Sequence, residues 1–281
     1  MTKTAPPETN HNPSSMNTLP LTILSVVALT SQFVAAAGTD AKPAYPIGYS
    51  DTPFIAPDSK WRVHDIDRPR PEPVQPGEKP GAAPADAIVL FDGKDVSKFA
   101  GKDGASCPWK IENGELIVDG GDIWTKEAFG SCQFHIEWKT DPNTEGQSQK
   151  KGNAGVFFMD RYETQILDCH NNPTYADGMA GSIYGQTPPL VNAVRPAGEW
   201  QTYDVIFNAP KLEGGKVVEP AYITTIINGI LVQNHTKILG PTRHKQPTNY
   251  DGVFPDKAPF RLQDHKNSIP DRLRNIWVRP L

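Results

Sequence analysis

The feature that most constrains the fold of this chain is an alternation of apolar and polar residues that continues almost throughout the sequence beyond Asp86. In the segment Cys132–Lys139 every second residue, starting from Cys132, is apolar and the others are polar, which is the pattern of a half-buried β-strand. Asn113-Gly114 and Asn228-Gly229 each separate two such runs and predict β-hairpins. No comparable helical periodicity is present. Many short strands at close spacing predict an all-β protein of two antiparallel sheets, a sandwich or jelly roll.

Proline marks where the folded domain begins. The 281-residue chain has 28 prolines, and ten of them fall between residues 38 and 84. Proline lacks a backbone donor and fits poorly into packed strands and helices. We therefore expect residues 38–85 to form a mostly disordered, proline-rich linker. Residues 86–281 are expected to form a single domain large enough to bury a substantial core.

The N-terminal residues 1–37 read as a signal peptide. The apolar stretch from Leu19 to Ala37 has an apolar centre, Leu21 to Leu29, that is too short and too interrupted by Thr and Ser to span a bilayer. The stretch ends in small residues of the kind that a signal peptidase accepts. Met16 is an alternative start, and a disordered apolar leader of a cytosolic protein is the alternative interpretation. We expect an exported protein of the periplasm or the extracellular space, without a transmembrane segment.

Charge and cysteine content exclude two further classes. Lys and Arg number 28 against 32 Asp and Glu, a net charge of −4, so a nucleic-acid partner is not expected. The three cysteines have no CxxC or Cys/His spacing, which argues against a structural zinc site. In an exported protein two of them can pair. Because Cys107 and Cys132 flank a predicted hairpin region, they are the expected disulfide, and Cys169 is expected to be a buried thiol.

Several polar residues of the predicted strands share faces. Glu163 and Gln165 lie on one side of their strand, and Gln263 and His265 share a side near the C-terminus. His135 and Glu137 lie on the polar side of the Cys132 strand. A regular strand would place Asp168 on the side opposite Glu163, so only a bulge or the end of the strand would bring the two carboxylates to the same side. These polar residues have two possible interpretations. They form either the solvated outer face of a sheet or a sugar-binding face, on which acids and amides bind the hydroxyl groups of the sugar.

A long connection, His170 to Glu199, has no convincing strand or helix. Loops of this length inside a compact domain are usually functional or disordered. Its aromatic residues, among them Tyr175 and Tyr184, argue against a disordered linker. We therefore expect an ordered loop that covers a binding face.

Residues 88–281 resemble the 3-keto-disaccharide hydrolase family of exported bacterial domains. The resemblance depends on six strings in order: FDGKDVSKF (91–99), GDIWTKEAFGSCQFHIEW (121–138), GNAGVFFMDRYETQILD (152–168), YADGMAGSIYGQTPPLVNAVRPAGEWQTYDVIF (175–207), PAYITTIINGILVQNH (220–235) and LQDHKNSIPDRLRNIWVRPL (262–281). Two positions depart from the family pattern. Ala154 stands where the family usually has Ser, and Lys266 stands where it has Gly.

The resemblance implies a concanavalin-A-like jelly roll that hydrolyses the glycosidic bond of 3-keto-disaccharides or 3-keto-glucosides. A ketone at C3 acidifies the C2 hydrogen, so a base can remove it, the group at C1 can leave with the help of an acid, and water can add back. We expect His265 as general base or acid and Glu163 as its carboxylate counterpart. Glu137 and Asp168 are expected as further acids or orienting groups.

The expected partner is a carbohydrate substrate. Its candidate contacts are Asn153, Gln165, Gln263, Tyr184, Gln186, Trp200 and Arg274. A divalent cation that polarises the ketone is compatible with this chemistry, with Glu163 and Asp168 as oxygen ligands. The sequence does not specify an oligomeric state.

Two other functions compete. A non-catalytic, lectin-like module would use the same face, and Ala154 favours it if the family's serine hydroxyl takes part in the chemistry. A conventional endo-glucanase of the same fold would use Glu163 and Asp168 as paired carboxylates.

Overall fold

The computed structural model describes residues 48–71, 73 and 77–281. The predicted signal peptide, residues 1–37, lies outside this range, as does part of the predicted linker. The described residues divide into two units on either side of the Arg70–Pro71 bond. No helix among the described residues is long and apolar enough to cross a membrane.

In the first unit, residues 48–70 fold back on themselves. The Tyr49 amide donates to the His64 carbonyl at 2.8 Å, and the Ile66 amide donates to the Tyr49 carbonyl at 3.1 Å. A bridge between Phe54 and Arg62 continues the pairing. This part of the proline-rich segment therefore has a defined hydrogen-bonded backbone.

The second unit is an antiparallel β-sandwich, which confirms the predicted fold class. An eight-stranded sheet has the order β13-β12-β9-β6-β15-β4-β3, with β1 also paired to β15. Its strands are β1 (Ile88–Phe91), β3 (Ile111–Glu112), β4 (Glu115–Ile117), β6 (Cys132–Lys139), β9 (Gln201–Asn208), β12 (Tyr222–Ile227), β13 (Ile230–Lys237) and β15 (Arg272–Pro280).

A five-stranded sheet has the order β2-β5-β14-β7-β8. Its strands are β2 (Phe99–Ala100), β5 (Ile123–Phe129), β7 (Ala154–Phe158), β8 (Tyr162–Ile166) and β14 (Ala258–Leu262). A separate hairpin joins β10 (Lys211–Glu213) to β11 (Lys216–Glu219), and short 3-10 turns occur at Lys102–Gly104, Ser148–Lys150 and Ala176–Gly178. Both hairpins predicted from Asn-Gly turns are present, β3–β4 and β12–β13.

The two sheets enclose one apolar core. Phe134 of β6 and Phe207 of β9 contact Phe158 of β7, with ring centroids 5.5 and 4.9 Å apart, respectively. Phe260 of β14 joins the same group, 5.2 Å from Phe158. Because the inward residues of both sheets meet here, the alternate residues of each strand face away from the core. Any polar site on these strands must therefore lie on an outer face.

The predicted disulfide between Cys107 and Cys132 is wrong, since all three cysteines are free thiols. Cys132 is buried on β6, in the eight-stranded sheet. Cys107 follows Ser106, which pairs with Ala100 at the edge of the five-stranded sheet. The two cysteines therefore belong to different layers of the sandwich. The expectation that Cys169 is a buried thiol is confirmed.

Candidate active site

The candidate active site lies on the outer face of the five-stranded sheet, at β8. Tyr162 and Ile166 point into the core, as expected from the alternation of the strand. Glu163 and Gln165, between them, point outward. The outward residues are nevertheless buried, because neighbouring loops cover this part of the sheet.

The covered face contains a pocket of about 280 Å³, here called the inner pocket. Small-molecule sites typically have volumes of ~300–1,000 Å³, so its size suits a single small ring. Six of the residues predicted for the site line it, together with four others: Asn153, Glu163, Gln165, Tyr184, Gln263 and His265, with Phe157, Thr242, His244 and Arg261. The structure thus brings together residues from β7, β8, β14 and four loops.

Glu163 is the most strongly perturbed acid of the inner pocket. Its side chain is 5% exposed, and one atom of the Gln165 side-chain amide lies 3.0 Å from its Oε1. Burial raises the pKa of Glu163 to about 8; the nearby Arg261 opposes this shift, and Asp122 adds to it. At neutral pH the carboxyl is therefore mainly protonated and able to donate a proton.

The carboxyl group of Glu163 occupies the space that glycine leaves free at residue 155. A Cβ on Gly155 would lie 2.5 Å from Glu163 Oε1 and 3.1 Å from a ring carbon of Phe157. The absence of a side chain on this outward position of β7 lets the acid lie across the neighbouring strand.

Arg261 supplies the positive charge of the inner pocket. Its guanidinium lies 3.5 Å from the centre of the Phe157 ring. It forms ion pairs with Asp122 at 2.7 Å and with Asp160 at 2.6 Å. These three contacts fix the cation beside the acid, and Arg261 is a site residue that the sequence reasoning missed. The sequence could have indicated it, because residues 261, 263 and 265 alternate along the chain and therefore lie on the same side of an extended strand.

Gln263 and His265 follow the end of β14. The Gln263 amide donates to the Gly155 carbonyl at 3.0 Å, which holds the outgoing chain against β7. The side-chain Oε1 of Gln263 is buried and has no hydrogen-bond partner among the described residues. A substrate hydroxyl group would satisfy this acceptor. His265 is exposed, so it stands at the mouth of the inner pocket.

The predicted ordered loop over this face is confirmed, since the loop after β8 places Tyr184 in the inner pocket. The Tyr184 amide donates to the Glu163 carbonyl at 3.2 Å. Its hydroxyl lies 2.7 Å from the Tyr175 hydroxyl and 3.0 Å from His244 Nδ1. His244, like Thr242, belongs to the loop between β13 and β14, where no sequence periodicity marks a site residue.

Gln186, predicted as a substrate contact, is not among the residues that line the inner pocket. Its Nε2 donates to the Gly240 carbonyl at 3.0 Å, and its Oε1 accepts from the Leu239 amide at 2.7 Å. The side chain is therefore engaged in holding the loop after β13 to the loop after β8.

Three further residues predicted for the site do not line the inner pocket: Glu137, Arg274 and Trp200. Glu137 lies on β6, on the outer face of the opposite, eight-stranded sheet. Arg274 Nε donates to Glu137 Oε2 at 2.6 Å, and its guanidinium lies 3.9 Å from the Trp200 ring centre. The three residues form a structural cluster on the other side of the sandwich from Glu163.

His135 completes this second cluster. Its ring stacks on Trp277, and its Nδ1 lies 2.7 Å from Asp204 Oδ1. The Gly81 carbonyl accepts from the Trp277 indole at 2.9 Å, so residues preceding the predicted domain start at Asp86 cover this face.

Asp168 does not join Glu163. It is buried beyond the end of β8, its Oδ2 pairs with Lys151 Nζ at 3.0 Å, and its Oδ1 accepts from the His170 amide. It is absent from the lining of the inner pocket. The expected pairing of these two carboxylates, as cation ligands or as an endo-glucanase pair, is therefore wrong. Within the described ranges no group of three or more His, Cys, Asp or Glu side chains is arranged to hold a metal ion.

Ala154 points away from the inner pocket. It is part of the apolar core and pairs with Ile166 across β7 and β8. A serine at this position would place its hydroxyl in the core. The departure from the family pattern at residue 154 therefore removes no functional group from the inner pocket.

Comparisons with known proteins identify the family. The family model described as a 3-keto-alpha-glucoside-1,2-lyase-like domain matches residues 86–279. A crystal structure of a proposed glycosyl hydrolase from Parabacteroides distasonis ATCC 8503 is 40% identical, covers 84% of this chain and 100% of its own, and has a TM-score of 0.74. A second proposed glycosyl hydrolase from that organism is 20% identical, with a TM-score of 0.48, over 69% of this chain and 94% of its own. No curated protein matches. The chain belongs to the family of 3-keto-alpha-glucoside-1,2-lyase-like domains.

Proposed function

We propose that this protein cleaves the glycosidic bond of 3-keto-glucosides or 3-keto-disaccharides in the inner pocket. The observation that carries the proposal is that Glu163 is buried, has a pKa raised to about 8, and shares a pocket with His265. Family membership and the 40% identical proposed glycosyl hydrolase support the reaction class.

The first step is removal of the proton at C2. A neutral histidine is a suitable base near neutral pH, and His265 stands at the pocket mouth. The electron pair of the C2–H bond forms a C2–C3 double bond, and the ketone oxygen becomes an enolate. Arg261 places a fixed positive charge in the same pocket, where it stabilises this negative oxygen.

The second step is departure of the group at C1. The enolate returns its electrons, a C1–C2 double bond forms, and the C1–O bond breaks. Glu163 in its protonated form donates a proton to the leaving oxygen. Water then adds across the double bond, with a proton to C2 and hydroxyl to C1, and yields the free 3-keto sugar.

The side-chain amides of Gln263 and Gln165 orient the substrate and the acid. The unpaired Oε1 of Gln263 accepts a hydroxyl group of the sugar. Gln165, in contact with Glu163, acts as a positioning residue for the acid.

Turnover of trehalose and of 3-keto-trehalose tests the proposal. We expect release of 3-keto-glucose from the ketone and no reaction with trehalose. A primary isotope effect from deuterium at C2 distinguishes elimination from direct displacement at C1. Turnover of unmodified trehalose at a similar rate would contradict the proposal, as would a failure to cleave 3-keto-glucosides of any leaving group.

A further inference from the structure

A second cavity, here called the outer pocket, adjoins the inner pocket. It has a volume of about 490 Å³, and its wall includes Tyr175, Asp177, Arg243 and Lys245. Tyr184 and His244 line both pockets, so the two cavities meet at these side chains. The outer pocket is thus positioned to receive the part of a ligand that extends beyond the inner pocket.

The aromatic wall of the outer pocket is held in place by hydrogen bonds. The Tyr175 and Tyr184 rings are 6.2 Å apart with an interplanar angle of 68°, and their hydroxyls are linked at 2.7 Å. The His244 ring lies nearly parallel to Tyr184, at 19°. A set of fixed ring faces and edges suits a planar apolar group.

Positively charged side chains outnumber negatively charged ones in the wall of the outer pocket. Arg243 and Lys245 contribute two cations, and Asp177 contributes the one carboxylate of the wall. Neither Arg243 nor Lys245 forms an ion pair with another of the described residues. Arg261, the cation of the inner pocket, has two. The outer pocket therefore offers uncompensated positive charge beside an aromatic wall.

We propose that the outer pocket is the leaving-group subsite and that it favours an aromatic leaving group carrying a carboxylate. This inference rests on the proposed function, since it takes the 3-keto ring to lie in the inner pocket. The aglycone then extends past Tyr184 and His244, its ring against Tyr175 and its carboxylate towards Arg243 and Lys245.

Two substrates with the same reacting sugar test the subsite, the 3-keto-glucosides of 4-hydroxybenzoate and 4-hydroxybenzamide. They are similar in shape and differ in charge. The measured quantity is the ratio of kcat/KM for the benzoate to that for the benzamide. Because intrinsic leaving-group ability is the same for every protein variant, a change in this ratio reports the protein's preference for the charge.

We expect the double substitution Arg243→Gln and Lys245→Gln to lower the ratio about fivefold, as the loss of two exposed ion pairs would do. The benzamide value should fall less than the benzoate value, because the benzamide carries no negative charge for the two cations to bind. Lys216→Gln, on the separate β10–β11 hairpin and outside the lining of both pockets, is the control and should leave the ratio unchanged. The wild-type ratio should also fall at high ionic strength. An unchanged ratio in the double variant would overturn the proposal.

A binding measurement separates this inference from the proposed function. If neither glucoside is cleaved, calorimetric titration with free 4-hydroxybenzoate and 4-hydroxybenzamide still tests the subsite. Tighter binding of the benzoate by wild type, lost in the double variant, would support the outer pocket as an anion-selective aromatic site while the hydrolytic proposal fails. Equal affinities for the two compounds would overturn the subsite.

Discussion

Gly155 of β7 leaves the space that the carboxyl group of Glu163 of β8 occupies, and a Cβ at residue 155 would lie 2.5 Å from Glu163 Oε1. Gly155 faces the inner pocket, whereas its neighbour Ala154 faces the core. The two adjacent residues therefore provide a matched test of which side of the strand matters for function.

Gly155→Ala should lower kcat/KM for 3-keto-trehalose about 100-fold, because it displaces the acid and small displacements of catalytic groups have effects of that size. Ala154→Ser should keep kcat/KM within about threefold of wild type, since its hydroxyl points into the core. Steady-state kinetics on both variants check this. Equal losses in the two variants would contradict the assignment of the two faces.

The rate should depend on pH through Glu163. Because burial raises its pKa to about 8 and the proposed role needs the protonated form, kcat/KM should fall as pH rises through about 8. A pH–rate profile for 3-keto-trehalose measures this. Activity that rises across the same range would show that Glu163 does not act as the acid.

Glu163 also links pH to stability. Its folded pKa of about 8 exceeds the ordinary value of 4.5, so the folded state retains a proton that the unfolded state loses between these values. Wild type should lose stability relative to Glu163→Gln as pH rises from 4.5 to 8, by at most about 1.4 kcal/mol per pH unit. Denaturant unfolding of both proteins at several pH values checks this, and a constant difference would contradict it.

Glu137 should have the opposite pH dependence. Burial alone would raise its pKa, but hydrogen bonds from His135, Asn275 and Arg274 outweigh that effect and lower the pKa to about 2. Its contribution is therefore present above pH 4.5 and lost as pH falls towards 2. Glu137→Gln should unfold more easily at pH 7, by about 1–2 kcal/mol, with a smaller difference at pH 3. An equal difference at both pH values would contradict this.

The cysteines should react as three separate thiols. Denatured, unreduced protein should bind three equivalents of a thiol reagent, counted by mass. In the folded protein Cys107 should react first, because it is partly exposed, whereas Cys132 and Cys169 are buried. Burial also raises the pKa of Cys132 to about 12 and that of Cys169 to about 11. A single reactive thiol after denaturation would indicate the disulfide that the structure excludes.

Alternation along each strand predicted the sandwich and correctly placed Glu163 and Gln165 on one outer face. The same pattern failed for Glu137, because alternation shows which side of its own strand a residue occupies but not which sheet contains the strand. β6 and β8 belong to different sheets, so their polar sides point in opposite directions. The Cys107–Cys132 pairing failed for the same reason.

Of the loop residues that line the inner pocket, the sequence predicted some and missed others. Tyr184 was found from the aromatic content of its loop, whereas His244 and Thr242 come from a connection with no periodic signal. Gln186 resembles a sugar-binding amide in sequence, but backbone groups of another loop already occupy its donor and acceptor. Such competition for a side chain is visible only when both loops are in place.

Glu163, predicted as the counterpart of His265, and Glu137, predicted as a further acid, lie on opposite faces of the sandwich, and substituting each tests the location of the chemistry. The measurement is kcat for 3-keto-trehalose at pH 7 with Glu163→Gln and Glu137→Gln, each confirmed as folded by its thermal unfolding. We predict a loss of at least about 100-fold for Glu163→Gln, typical of removing a general acid, and near wild-type turnover for Glu137→Gln. Full activity in Glu163→Gln, or the loss of activity only in Glu137→Gln, would contradict an active site on the five-stranded sheet.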